Sequence, residues 1–218
     1  MPTLGYQDEG VACWVPAAAG PGTAPFYRSY QPQYSDHFYT TSAVERDSAE
    51  QNLGPTVSLT TMTTAMQSAY NQASIKVVVA TKQYISAPPE VDVDVGSCSG
   101  GPTSEQSDLY RNRDFVGPNE ITVYFVRTTV PAYNGCATHP SDRPGAVVAQ
   151  GASQWTMAHE VGHVLGLPHL SGENCSAPGY VPSRLMTGCG TGLIVANPPS
   201  LVASEIQTMD QSAYTTDI

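Results

Sequence analysis

Three histidines and a glutamate stand at 159, 163, 169 and 160, in the run HEVGHVLGLPH. Two histidines four residues apart on a helix share one face, so both imidazoles can reach one metal ion while Glu160 points toward a water on it. Gly166 can take the left-handed conformation that ends the helix and turns the chain sharply. That turn brings His169 toward the same ion from another direction. Three nitrogens leave the fourth position of a tetrahedral zinc open to water, which the metal acidifies. Glu160 can take that water's proton and pass it to a leaving amine, which is the chemistry of peptide hydrolysis. By average residue frequencies the five fixed positions of the run would occur by chance in such a chain about once in a hundred thousand.

These residues need a helix to carry them and a sheet to carry the helix. Ser153 is a good cap for a helix running to Leu165, with Ala158, Val161, Val164 and Leu165 on its buried side. Upstream, Met62, Met66, Ala69, Tyr70 and Ala73 recur at helical period. Residues 75–85 and 121–130 read as strands, and a shorter strand fits residues 145–150. The stretch 86–119 is rich in Pro, Gly, Ser and Asp and reads as loop. A terminal helix is expected over residues 200–212. The expected fold class is α+β.

The zinc run resembles that of the metzincin clan of zinc endopeptidases and matches its long motif at all five positions. The resemblance implies a catalytic domain with a twisted mixed sheet, this active-site helix, a carboxy-terminal helix and a methionine-bearing turn beneath the metal. Ser183-Arg184-Leu185-Met186-Thr187-Gly188 is the candidate turn, with Met186 as its methionine. Astacin-like and serralysin-like members carry a zinc-ligating tyrosine two residues after the methionine; here that position is Gly188, and Tyr180 is the nearest tyrosine. The implied substrate is a protein or peptide lying extended against an edge strand, for which residues 146–150 are the candidate. A surface-binding protein with a silent or structural zinc is the rival from another class. A structural zinc normally has a fourth protein ligand, and no cysteine fits beside these histidines.

The remaining residues bear on setting. Cys175 and Cys189 bracket the methionine turn, and Cys98 and Cys136 lie in Gly-rich connections; each pair is a candidate disulfide, and Cys13 is left over. Glu90, Asp92 and Asp94 form a candidate calcium cluster. His37 and His139 lack metal spacing and read as structural. The chain carries 19 acidic against 9 basic residues, a net charge of −10, which argues against nucleic acid and anionic membranes as partners. No apolar run is long enough to span a membrane, and residues 1–20 lack the pattern of a signal peptide. Low lysine content and the cysteines still favour a secreted protein, expected to be a monomer.

Residues 1–54 are rich in aromatic side chains, and the clusters Phe26, Tyr27, Tyr30 and His37, Phe38, Tyr39 read as short strands. Ser42 with Glu45 forms a capping-box signal for a helix that stops at Gly54 and Pro55. This segment resembles an aromatic repeat appended to secreted bacterial and fungal hydrolases. It reads as one repeat and a fragment, an accessory region for contact with carbohydrate or another surface, with the protease domain over residues 55–218.

Overall fold

The computed structural model describes residues 57–82, 92–113 and 116–215, together with the backbone of three strands nearer the amino terminus. The chain divides into two units, Met1–Gly54 and Pro55–Ile218. In the first, β1 (Gln7–Cys13), β2 (Phe26–Gln31) and β3 (Asp36–Thr40) form an antiparallel sheet in that order. The helix expected after Ser42 lies outside the described residues.

The second unit is a mixture of helices and small sheets. Its first helix, α1 (Leu59–Tyr70), is capped by the Ser58 hydroxyl on the Thr61 amide and buries Met62, Ala65, Met66, Ala69 and Tyr70. The helical-period stripe in the sequence is the face that packs. A mixed sheet follows, with β8 (Gly145–Ala149) between β5 (Thr122–Val126), parallel to it, and β7 (Gly135–Cys136), antiparallel. Every residue of β8 is buried, so its near-continuous apolar run suits a strand covered on both faces. Helix α3 (Thr156–Val164), which carries His159 and His163, packs on β8, and α1 packs on α3. The buried hydroxyl of Tyr70 donates to the carbonyl of Ala158 at 2.8 Å, tying α1 to α3 one residue before His159. Helix α4 (Ala203–Asp210) closes the core with Met209.

Several sequence expectations need correction. Residues 75–82 do not join a sheet. At their start one side chain bonds the backbone instead: Gln67 donates to the carbonyl of Ile75 at 2.9 Å and accepts from the amide of Val77 at 2.7 Å. A side-chain amide with both donor and acceptor can stand in for one rung of a ladder, and here it leaves Val78 and Val79 in solvent. The strand expected over 121–130 breaks at Arg127 into β5 and β6 (Thr128–Val130), and β6 pairs in parallel with β4 (Asp92–Asp94). The stretch read as loop thus holds β4 and also α2 (Ser104–Leu109), whose capping box joins Thr103 and Gln106. Nor is β8 an edge strand. The edge beside α3 is β7.

Candidate metal centre

The site is built by the way α3 ends. Gly166, at φ +99°, ends it. Its amide donates to the carbonyl of His163 at 2.9 Å, and the amide of Leu167 donates to the carbonyl of Gly162 at 3.0 Å. These two bonds make a Schellman motif, which satisfies carbonyls that the helix leaves open and reverses the chain. The reversal does two jobs: it sends the chain on to His169, and it aims the carbonyl of Leu167 back at the Nδ1–H of His163, 2.6 Å away.

His159 is oriented in the same manner by another element. Its Nδ1–H donates at 2.7 Å to the carbonyl of Leu185, in the turn that carries Met186. With both Nδ1 atoms protonated, the Nε2 lone pairs of His159 and His163 face the third histidine. The three Nε2 atoms stand 3.0, 3.1 and 3.2 Å apart. A tetrahedral zinc at ~2.0–2.1 Å from each nitrogen needs nitrogens about 3.3–3.4 Å apart, so a slight opening of the triangle accommodates it. His159, His163 and His169 are the one group of metal-ligating side chains found among the described residues.

The protonation states suit a metal. Burial pushes the His159 imidazole down to about 4, against the opposing pull of the Leu185 carbonyl. Burial lowers His163 as well. Both imidazoles are neutral at neutral pH, so a cation entering there would not have to displace a charge-bearing proton from them. Glu160, next along the helix, is buried against β7, and that burial pushes its carboxyl up to about 8. Gly135 of β7 makes the space for it: a β-carbon there would stand 2.6 Å from Cγ and 2.7 Å from Oε1 of Glu160.

Beneath the histidines the methionine turn is anchored on both sides. Leu185 and Met186 are fully buried, and the amide of Leu170, next to His169, donates to the carbonyl of Met186 at 3.0 Å. The Arg184 guanidinium meets Glu205 of α4 at 2.8 Å. Gly162, inside α3, clears room for the Met186 sulfur. Disulfides join Cys175 to Cys189 and Cys98 to Cys136, the two pairs singled out in the sequence. The first ties the loop after His169 to the end of the methionine turn.

Glu173 went unremarked in the sequence and is the hub of that loop. Its carboxylate accepts hydrogen bonds from the Thr187 hydroxyl at 2.8 Å, the Gly188 amide at 2.6 Å and the Tyr180 hydroxyl. Tyr180 is therefore engaged with a carboxylate and not aimed at the histidines. No local pattern announces such a residue, because two of its three donors, Thr187 and Gly188, come from a turn fourteen and fifteen residues away.

Other candidates separate from the site. Asp92 is taken up by Arg127, at 2.8 and 3.2 Å, and by the Thr128 hydroxyl, while Asp94 accepts from the Gly96 amide. Among the described residues these two carboxylates serve as partners for the chain's own donors, and Glu90, the third member of the candidate calcium cluster, lies outside the described residues. His139 bonds the carbonyl of Pro140. The side chains of Cys13 and His37 are outside the described residues.

A family model described as a domain of unknown function, DUF5648, matches residues 1–85. The match takes in the amino-terminal unit and α1 and ends well before His159. No curated protein and no solved structure matches the chain.

Proposed function

We propose that the chain is a secreted zinc-dependent endopeptidase of the metzincin type. The observation that carries this reading is the convergence of three Nε2 atoms, 3.0 to 3.2 Å apart, two of them on a helix whose residue after His159 is the buried Glu160. Three imidazoles with no fourth protein ligand among the described residues suit a catalytic zinc rather than a structural one. When bound, zinc supplies an acidified water and a polarised substrate carbonyl.

The chain's own residues do the rest. His159 and His163 offer fixed Nε2 lone pairs because backbone carbonyls hold their Nδ1 protons. Glu160 accepts the proton of the attacking water on its carboxylate and delivers it to the amide nitrogen of the breaking bond. The substrate lies extended along β7, whose outer side has no strand partner among the described residues. The two disulfides fit an oxidising compartment, and among the described residues no helix is long and apolar enough to cross a membrane. Residues 1–54 serve as an accessory surface-binding region.

The test is cleavage of a denatured protein by the purified chain, with its metal content measured. Cleavage should need about one zinc per chain, stop with a chelator and return when zinc is restored. A chain that binds zinc tightly yet cuts neither denatured protein nor peptides would overturn the reading.

A further inference from the structure

Of the three ligands, His169 is the one without a helix beneath it. His159 and His163 sit on α3 and each has its Nδ1 proton fixed by a backbone carbonyl, at 2.7 and 2.6 Å. No such bond to Nδ1 of His169 is formed among the described residues. What flanks its ring is Gly188: a β-carbon on that glycine would stand 3.8 Å from Cγ of His169 on one side and 3.8 Å from Oε2 of Glu173 on the other. Gly188 is in turn gripped by Glu173, which accepts its amide proton at 2.6 Å, and Thr187 is gripped by the same carboxylate at 2.8 Å. Three donors on one carboxylate fix its plane, and two of the three belong to the turn rather than to the loop of Glu173 itself.

Resting on the zinc reading above, we propose that Glu173 is the positioning residue of the third metal ligand, clamping the Thr187–Gly188 segment against the His169 loop so that its imidazole is held ready for the ion. The carboxylate contributes twice. Its two oxygens set the distance between loop and turn, and its negative charge lies close enough to act on both His169 and His159, offsetting the charge that a divalent cation brings. The Cys175–Cys189 bridge joins the same two segments but is a tether of rotatable bonds. It limits how far they separate without fixing the angle at which His169 enters the site.

Groups that orient ligands from outside the metal's own shell typically change affinity by about 10–100-fold when removed. Glu173→Gln keeps the shape, loses the charge and can place an amide N–H against the Gly188 N–H. The full-length variant should hold zinc about tenfold or more weakly in competition with a chelator and release it faster. The visible spectrum of its cobalt(II) form should broaden as the third imidazole loses its fixed angle. The melting temperature of the metal-free protein serves as the control, because a residue that merely stabilised the fold would lower that value and leave the affinity of the folded protein and its cobalt spectrum unchanged. Equal zinc affinity in wild type and variant overturns the proposal. If Glu173→Gln does not fold, Thr187→Val decides, removing one donor and sparing the charge: weaker zinc binding by the folded protein supports the clamp, and unaltered binding sinks it. A wild-type chain that binds no zinc would instead sink the metal reading on which the proposal stands.

Discussion

The sulfur of Met186 lies 2.8 Å from where a β-carbon on Gly162 would stand. A glycine in the middle of a helix costs about 1 kcal/mol relative to alanine, and here that cost opens the space into which the methionine turn docks. Gly162→Ala sets the helical gain of about 1 kcal/mol against an overpacking penalty of about 1–3 kcal/mol. Met186 is fully buried, so its thioether has little room to yield, and the penalty should win by about 1 kcal/mol. The same displacement shifts the Leu185 carbonyl that orients His159, so zinc affinity should fall as well. Thermal melts with a chelator competition measure both; a variant that melts no lower and binds zinc as before would show that the turn is free to move.

Glu160 and His163 should part company on substitution. Glu160→Gln keeps the size of the side chain and none of its ability to take a proton, so the metal should stay at about one per chain while turnover falls roughly a hundredfold or more. His163→Ala removes a ligand and frees the Leu167 carbonyl, so the metal itself should be lost. Metal analysis of the two purified variants beside peptide cleavage rates makes the comparison. An empty site in the Gln variant, or parental turnover, would end the assignment of Glu160 as the base.

What could be read from the sequence was local. The ligand spacing, the glycine that ends α3 and the helical stripe of α1 are each set within a turn or two of chain, and each is where local rules put it. The misreadings have non-local causes. Residues 75–82 have strand composition, but strand identity needs a neighbour, and Gln67 from α1 supplied the hydrogen bonds instead. In α2 the capping box Thr103–Gln106 was present in the sequence, yet only Gln106 and Leu109 are buried, so no apolar period marked the helix. Glu173 could not be read at all, since a carboxylate in a polar loop has meaning only once Thr187 and Gly188 are brought to it.

The Cys175–Cys189 bridge closes a short loop, with a sequence separation of 14. In the chain-entropy account such a loop is worth about 3 kcal/mol, through restriction of the unfolded state. Replacing both cysteines by serine should lower unfolding free energy by about that amount while leaving the three histidine nitrogens able to take a metal. Denaturant titrations of parent and double variant test the magnitude. Non-reducing peptide mapping tests the premise, which two free thiols would remove.

Acid should reveal Glu173 through stability. Burial draws its carboxyl upward, but the hydrogen bonds from Tyr180, Gly188 and Thr187 and the charge of His169 outweigh it and hold the carboxyl below the ordinary glutamate value. A group whose folded pKa is depressed stabilises the fold above its unfolded pKa, about 4.3 for glutamate, and loses that contribution as pH falls through the folded value. The stability difference between the metal-free parent and Glu173→Gln should therefore be level from about pH 7 to pH 5 and close below about pH 4.3. Denaturant melts of both proteins across that range give the curve. A difference that persists undiminished to pH 3 would mean that the carboxylate's charge plays no part in holding the loop to the turn, and that shape alone does so.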